Sequence, residues 1–375
     1  MWTRRLQILL FLLPPPLIVC VGAANAQTVA PPGPHSVGFR VAYHLDLSRD
    51  WSGDRSPGRP LRVYLWYPAQ PATGRPMRFG DYLAHAPSPP SGIFRQLDSL
   101  LDARATESFA RWLKVERLAA LKASHVVARL NATPTAGTFP VITYSAGLND
   151  SFEASNSYLF EFLASQGFIV VTVPQVGAKV SSLELDTGAA DLEIQTRDLE
   201  EALGWLRGNK SFSLGAVVAM GHSMGGSVAM LATMRHPSFR AVIGLDASYA
   251  APGLATLLAA NPLFDPQQLT VPLLDIRRAD PRWDLSVITA LSSAPRRLAQ
   301  INDMSHMGFT NDARIAADYL ADSTAVLALQ GYQFTRDVVL AFLKAVVSDD
   351  PDALSRFDRY LRSRSAGLAE VTVPP

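Results

Sequence analysis

The chain has 375 residues, a formal net charge of +1 at pH 7 and a single cysteine. Acidic and basic residues nearly balance and form no basic block, which argues against nucleic acid as a partner. Hydrophobic residues make up 48% of the chain, enough for the core of one large α/β domain with insertions.

The first 26 residues have the parts of an export signal. A basic start is followed by an apolar run over 6–22 and by Ala-Asn-Ala at 24–26, the small residues that a signal peptidase reads. We expect cleavage after Ala26, a flexible leader over 27–36 and a secreted or periplasmic protein. Three prolines at 14–16 interrupt the apolar run, so no stable membrane span is expected.

The only cysteine, Cys20, lies inside the segment that we expect to be removed. The mature protein would then have neither a thiol nor a disulfide, which excludes a cysteine nucleophile and a zinc-thiolate site.

Two early strands and a helical insertion come next along the chain. Residues 37–44 and 61–67 alternate between apolar and polar side chains, as in a pair of strands. Residues 94–124 have apolar side chains at helical spacing. This insertion would either cover a sheet edge or form a lid or wall of an acyl pocket, because periodicity reports burial and not what is buried.

From residue 139 onward, predicted strands and helices alternate. This order indicates a mostly parallel sheet with helices on its faces. We assign the domain to 37–348 and a C-terminal tail to 349–375. The predicted strands lie at 140–144, 168–173, 216–220, 241–245, 271–276 and 297–301, and the predicted helices at 157–166, 194–208, 226–235 and 334–347.

The pentapeptide at 221–225, Gly-His-Ser-Met-Gly, fits the nucleophile-elbow pattern G-x-S-x-G. A predicted strand precedes it and a predicted helix follows it, as the elbow requires. The glycines leave room for a serine held in strained backbone. Ser223 is therefore the predicted nucleophile, at the carboxyl end of a strand where sites in such sheets gather.

A serine hydroxyl needs a base within hydrogen-bond reach. Only His236 and His306 follow the elbow in the sequence. His236 comes thirteen residues after Ser223 along the same predicted helix, which puts it roughly 20 Å away. His306 follows the strand at 297–301 and is the predicted base, whereas His222 is expected to point away from the nucleophile.

The residues alone do not decide which acid orients the histidine. Asp246 ends one predicted strand, and Asp280 follows the next, which is the more usual location in this architecture. Asp275 lies within that strand, and Asp303 shares the histidine's loop. Either Asp246 or Asp280 could fix the imidazole tautomer and stabilise the imidazolium.

The oxyanion hole needs two fixed backbone N–H groups. One is expected from Met224, the residue after the nucleophile. The other is expected from Leu148, behind Gly147 in the turn after the strand at 140–144. No metal and no cofactor is needed for this chemistry.

Six motifs occur in order and together resemble the platelet-activating-factor acetylhydrolase branch of the α/β hydrolases, which borders on dienelactone hydrolases and bacterial cutinases. They are LWYP at 65–68, FPVITYSAGL at 139–148, LASQGF at 163–168, GHSMGG at 221–226, GLDA at 244–247 and HMGF at 306–309. The resemblance implies an α/β-hydrolase fold, a mostly parallel sheet flanked by helices, with a helical insertion before the parallel core.

The resemblance also implies that Asp246 is the catalytic acid, whereas cutinase-like relatives would favour Asp280. The oxyanion turn departs from the branch, which usually has a histidine before the glycine where this chain has Ala146.

The sequence thus predicts an exported serine hydrolase that cleaves carboxylic esters through a Ser-His-Asp triad and an acyl-enzyme. Its partner would be a small-molecule or lipid ester, and the resemblance favours short-acyl or phospholipid-type esters and hence lipid degradation. The alternatives are a cutinase or polyester hydrolase, a lipase, an amidase or peptidase, and a non-catalytic binding protein on the same fold.

Overall fold

The computed structural model describes residues 33–51, 58–84, 92–148, 153–178, 185, 188–320, 323–365 and 369–372. The predicted export signal over 1–26 and most of the leader lie outside these residues. The described residues belong to one compact unit, Pro32–Pro375.

A sheet of eleven described strands runs through this unit, in the order β11-β10-β9-β8-β7-β5-β6-β2-β1-β4-β3. The strands from β6 to β10 along this order are parallel to one another, whereas β2 is antiparallel to both β1 and β6. Their bounds are β1 Ser36–Asp46, β2 Arg59–Ala69, β3 Arg75–Arg78, β4 His125–Leu130, β5 Thr138–Ser145, β6 Ile169–Thr172, β7 Ser213–His222, β8 Phe239–Leu245, β9 Leu273–Arg278, β10 Arg296–Ile301 and β11 Ala369–Thr372.

Helices flank the sheet, and both faces of its central strand β7 are buried. Val217 and Ala219 of β7 belong to the core that includes side chains of α4 and α5, while Val218 and Met220, on the other face, are also inaccessible. The helices are α1 Gly92–Ala110, α2 Val115–Ala123, α3 Glu153–Ser165, α4 Ala189–Gly208, α5 Met224–Arg235, α6 Leu254–Ala259, α7 Ser286–Ala290, α8 Asn311–Tyr319, α9 Ser323–Val346 and α10 Ala353–Arg364. None of these described helices is both long and apolar enough to cross a bilayer.

The helical insertion packs against the early strands. Phe94, Leu97 and Leu101 of α1 are buried. Arg62 of β2 donates to Asp98 of α1 at 2.8 Å, and this arginine side chain is fully buried. Helix α1 of the insertion therefore packs against β2, and a buried ion pair holds it there.

Short strands β3 and β4 flank the insertion and were missed by the sequence reading. They read Arg-Pro-Met-Arg and His-Val-Val-Ala-Arg-Leu, and they pair with each other at the sheet edge. An edge strand needs little apolar alternation because much of it faces solvent.

The predicted C-terminal tail is part of the domain. Phe357 and Leu361 of α10 are buried, and the Phe357 ring lies 5.2 Å from that of Phe342. β11 extends the sheet by pairing antiparallel with β10. The boundary at residue 348 is therefore too early, because a short amphipathic helix after α9 buries further apolar side chains.

A buried carboxyl joins α3 to the edge of the sheet. Glu161 Oε1 accepts hydrogen bonds from Tyr82 Oη at 2.7 Å and from Ala128 N at 3.0 Å. Burial raises the pKa of Glu161 to about 7, because the charged form loses its hydration. The side chain is therefore largely protonated in mildly acidic solution.

Because of this raised pKa, we expect the contribution of Glu161 to the free energy of unfolding to decrease as the pH rises. Between pH 4.5, where the unfolded carboxyl ionises, and pH 7, the folded state keeps a proton that the unfolded state has lost, so the free energy of unfolding falls. Glu161→Gln keeps an acceptor oxygen and removes the ionisation. Urea denaturation at pH 4.5 and pH 8 should show the variant gaining about 3 kcal/mol relative to wild type between the two conditions. The exposed Glu116→Gln is the control, and a Glu161→Gln difference independent of pH would contradict the prediction.

Candidate active site

The elbow at Ser223 has the strand–turn–helix form that the motif predicts. β7 ends at His222 and α5 begins at Met224. Ser223 lies between them with φ 53° and ψ −123°, a region that costs a non-glycine residue on the order of 1–3 kcal/mol. Hydrogen bonds hold it there: its N–H donates to Leu245 O, and its carbonyl accepts from Ser248 N at 2.9 Å.

The elbow glycines are required for space. A Cβ on Gly221 would lie 2.0 Å from Gly225 O, and a Cβ on Gly225 would lie 1.9 Å from Ser145 O. Both distances are far inside van der Waals contact with backbone atoms that cannot swing away. The two glycines therefore allow α5 to start directly against the end of β5.

His306 and Asp246 are brought together from different strands. Asp246 follows β8 with φ 45°, and its side chain is fully buried. His306 starts the short 3-10 helix after β10, and its Nδ1 lies 2.5 Å from Asp246 Oδ2. A carboxylate on Nδ1 fixes the tautomer with Nε2 free to accept a proton.

Ser223 and His306 lie at the same edge of the sheet, but no Ser223–His306 hydrogen bond is formed within the described residues. The contacts of His306 there are with Asp246, Arg278 and His222. In hydrolase structures without substrate the bond between nucleophile and base is often long and tightens when substrate binds. The arrangement is therefore compatible with a triad, and the catalytic roles remain predictions.

His222 packs against the predicted base. The two imidazole rings lie 4.6 Å apart at 30°, and His222 Nε2 is 3.1 Å from His306 O. Burial and, to a lesser extent, the neighbouring His306 lower the pKa of His222 to about 3. The His222 ring is therefore neutral near pH 7. The sequence predicted only that His222 points away from the nucleophile. It did not predict the contact between His222 and His306.

Arg278 is a site residue that sequence reasoning did not find. Its backbone N–H donates to Asp246 Oδ1 at 2.9 Å, and its Nη1 donates to Asp246 Oδ2. The guanidinium also lies 3.3 Å from His306 Nδ1 and over the ring of Trp283. It compensates the buried negative charge of Asp246, which would otherwise be costly. The predicted strand ended at residue 276, whereas β9 runs to Arg278. Arg278 thus lies at the end of the strand after which the catalytic acid is more usually found.

The other candidate acids do not meet His306 in the described structure. Arg282 donates to both carboxylate oxygens of Asp280 at 2.9 and 2.7 Å, and these hydrogen bonds hold the pKa of Asp280 well below its usual range. Asp275 is buried and accepts from Tyr249 Oη at 2.6 Å, and Asp303 is exposed. Asp246 is thus the carboxylate that the geometry pairs with His306.

His236 is also absent from the site. It follows the far end of α5 and lies 3.0 Å from Glu200, in agreement with its predicted distance from the elbow.

The turn after β5 runs against the nucleophile. A Cβ on Gly147 would lie 3.3 Å from Ser223 Cβ and 3.2 Å from His222 Nδ1, so the absence of a side chain lets this backbone approach. Leu148 directly follows it. Met224 is the first residue of α5, where N–H groups have no partner within the helix. One predicted oxyanion donor, Met224, directly follows Ser223, and the other, Leu148, directly follows the glycine that approaches Ser223; their role remains a prediction.

The sequence profile of the Alpha/beta hydrolase family matches residues 145–375. The match covers more than half of the chain, so the chain belongs to this family. The matched residues include the last residue of β5, the elbow, Asp246 and His306. Together with the sheet described above, the match confirms the predicted α/β-hydrolase fold.

Curated relatives of the chain include two chlorophyllases and a terephthalate ester hydrolase by name. Chlorophyllase-1, chloroplastic, from Citrus unshiu and from Citrus sinensis is 37% identical over 114 residues, and bis(hydroxyethyl) terephthalate hydrolase from Streptomyces coelicolor is 32% identical over 113 residues. Each match covers 29% of this chain and 33% of the relative, so the matched region spans about a third of these relatives. The platelet-activating-factor acetylhydrolase branch is not among them, and that finer resemblance remains a prediction.

A solved structure with the same fold is the ferulic acid esterase from Streptomyces cinnamoneus. It has a TM-score of 0.59 and 20% sequence identity, and the match covers 89% of this chain and 93% of that chain. At this identity the likeness establishes the fold and leaves the substrate open.

Proposed function

We propose that this protein is an exported serine hydrolase that cleaves carboxylic esters through an acyl-enzyme. The observation that carries the proposal is the hydrogen-bonded pair Asp246–His306 at the sheet edge where the elbow holds Ser223. A binding protein has no need for a buried carboxylate that orients a histidine at the same sheet edge as a strained serine. Export rests on the sequence of residues 1–26 alone.

In the proposed mechanism Ser223 Oγ attacks the ester carbonyl while His306 Nε2 takes the hydroxyl proton. Asp246 stabilises the imidazolium that forms. The N–H groups of Leu148 and Met224 donate to the tetrahedral oxyanion. His306 then protonates the leaving alcohol, and water, activated by the same histidine, releases the acid and regenerates Ser223.

For the substrate we propose short-acyl or phospholipid-type esters, on the resemblance to the acetylhydrolase branch. A second candidate is a terephthalate-type or other aromatic ester. The 32% identity to the bis(hydroxyethyl) terephthalate hydrolase favours it.

The test is a panel of p-nitrophenyl esters from acetyl to palmitoyl, with p-nitroacetanilide and bis(hydroxyethyl) terephthalate beside them. We expect the highest kcat/KM on the shortest acyl groups and no measurable turnover of the anilide. Faster cleavage of the anilide would make the protein an amidase. A protein inert to every ester and to a fluorophosphonate would be a binding protein.

A further inference from the structure

The turn that would supply an oxyanion donor is held by a buried glutamine. Gln175 Nε2 donates to Ala146 O at 2.6 Å, across 29 residues of sequence. Gln175 is 4% exposed, so this bond is not in competition with water. Burying an amide is costly unless it is hydrogen-bonded. One N–H of the Gln175 amide donates to the carbonyl of Ala146, the residue directly before Gly147.

We propose that Gln175 is a positioning residue for the oxyanion hole, an inference that rests on the proposed function. The carbonyl of Ala146 and the N–H of Gly147 belong to one rigid peptide plane, so a bond to the carbonyl fixes the plane that leads into the turn. Glycine has the widest backbone freedom of any residue type because it has no side chain, so Gly147 does not fix its own conformation. An outside restraint on the plane before Gly147 narrows the positions that the next peptide, which carries the Leu148 N–H, can adopt.

Gln175 is itself anchored from two helices. Its Nε2 donates to Gln195 Oε1 of α4 at 2.7 Å, and its backbone carbonyl accepts from Arg104 Nη1 of α1 at 3.0 Å. A series of contacts therefore runs from the helical insertion through Gln175 to the turn. By this route the insertion supports the geometry beside Ser223.

The turn lies directly against the elbow side chains, so a displacement of the turn would change the geometry around Ser223. Gly147 approaches both Ser223 and the ring of His222 so closely that a Cβ would lie within 3.3 Å of each. Oxyanion donors act only when they lie within a few tenths of an ångström of their place. Loss of the Gln175 bond should therefore lower transition-state stabilisation more than substrate binding.

The test compares Gln175→Met, which keeps the volume and removes the donor, with Thr196→Val. Thr196 is buried on α4 beside Gln195, and its hydroxyl bonds only the Leu192 carbonyl among the described residues. We expect Gln175→Met to lower kcat for p-nitrophenyl acetate about 10- to 100-fold with KM changed less than about threefold. The inhibition constant of a boronic acid, whose tetrahedral adduct uses the same hole, should rise by a similar factor. Thr196→Val should leave both within about twofold of wild type.

Gln175→Glu is the second variant, and it keeps the proposal testable if the methionine variant folds poorly. A carboxylate cannot donate to Ala146 O, but a protonated carboxyl can. Activity relative to wild type should therefore rise as the pH is lowered. A merely structural role predicts lower thermal stability with unchanged kcat and unchanged boronate inhibition, and that result would overturn the proposal. A wild-type protein inert to both ester and boronate would instead overturn the proposed function, and the role of Gln175 with it.

Discussion

Replacement of Ser223 by alanine is expected to lower kcat for p-nitrophenyl esters by about four orders of magnitude or more. The hydroxyl is the atom that attacks the ester in the proposed mechanism, and its removal leaves only binding and oxyanion stabilisation. The loss should be chemical and not structural, because alanine occupies the same backbone conformation at a similar cost.

Kinetics with purified protein and a thermal denaturation curve check this expectation. The control is Ser238→Ala, which removes the hydroxyl of an exposed serine outside the elbow. A folded Ser223→Ala protein that keeps more than about a tenth of wild-type turnover would show that the nucleophile lies elsewhere.

Asp246→Asn is expected to lower kcat by about a thousandfold or more, whereas Asp280→Asn should change it by less than about threefold. Asp246 Oδ2 is the acceptor for His306 Nδ1. An amide in its place cannot stabilise the imidazolium and can select the wrong tautomer. Asp280 is bound by Arg282 and does not contact His306 among the described residues.

Both aspartate variants need a folding check by circular dichroism, since Asp246→Asn also leaves the guanidinium of Arg278 without its buried partner. If folded Asp246→Asn keeps its activity and Asp280→Asn loses it, the acid belongs after β9. The substrate proposal would then move toward the cutinase-like alternative.

The elbow could be predicted from sequence because its chemistry is local. Two glycines, a serine and the strand and helix on either side lie within about twenty residues, and each has a steric reason to be there. The position of His306 at this edge of the sheet could be predicted because few histidines follow the elbow and the other one, His236, lies at the far end of α5.

The choice between Asp246 and Asp280 could not be made from the residues alone. β8 and β9 are parallel neighbours, so the residues after them reach the same edge of the sheet. The difference is Arg278, which occupies the end of β9 and directs its N–H and guanidinium at Asp246. Its side chain could not be placed while the predicted strand stopped at residue 276.

Contacts between distant segments were missed for a common physical reason. Gln175 meets Ala146 and Arg104 from 29 and 71 residues away, and single polar side chains carry no periodicity that would indicate such a partner. Strand β11 was missed similarly, because four residues at a sheet edge give too little alternation to be recognised.

Peptide mapping after reaction with a fluorophosphonate tests the proposed catalytic role of Ser223 most directly. We predict one adduct per wild-type chain, on the peptide that contains Ser223, formed at a rate that falls sharply in Asp246→Asn and little in Asp280→Asn. Ser223→Ala should take up no label. An adduct on a different residue, or ester hydrolysis that continues in a protein with Ser223 unlabelled, would contradict the assignment of Ser223 as the nucleophile.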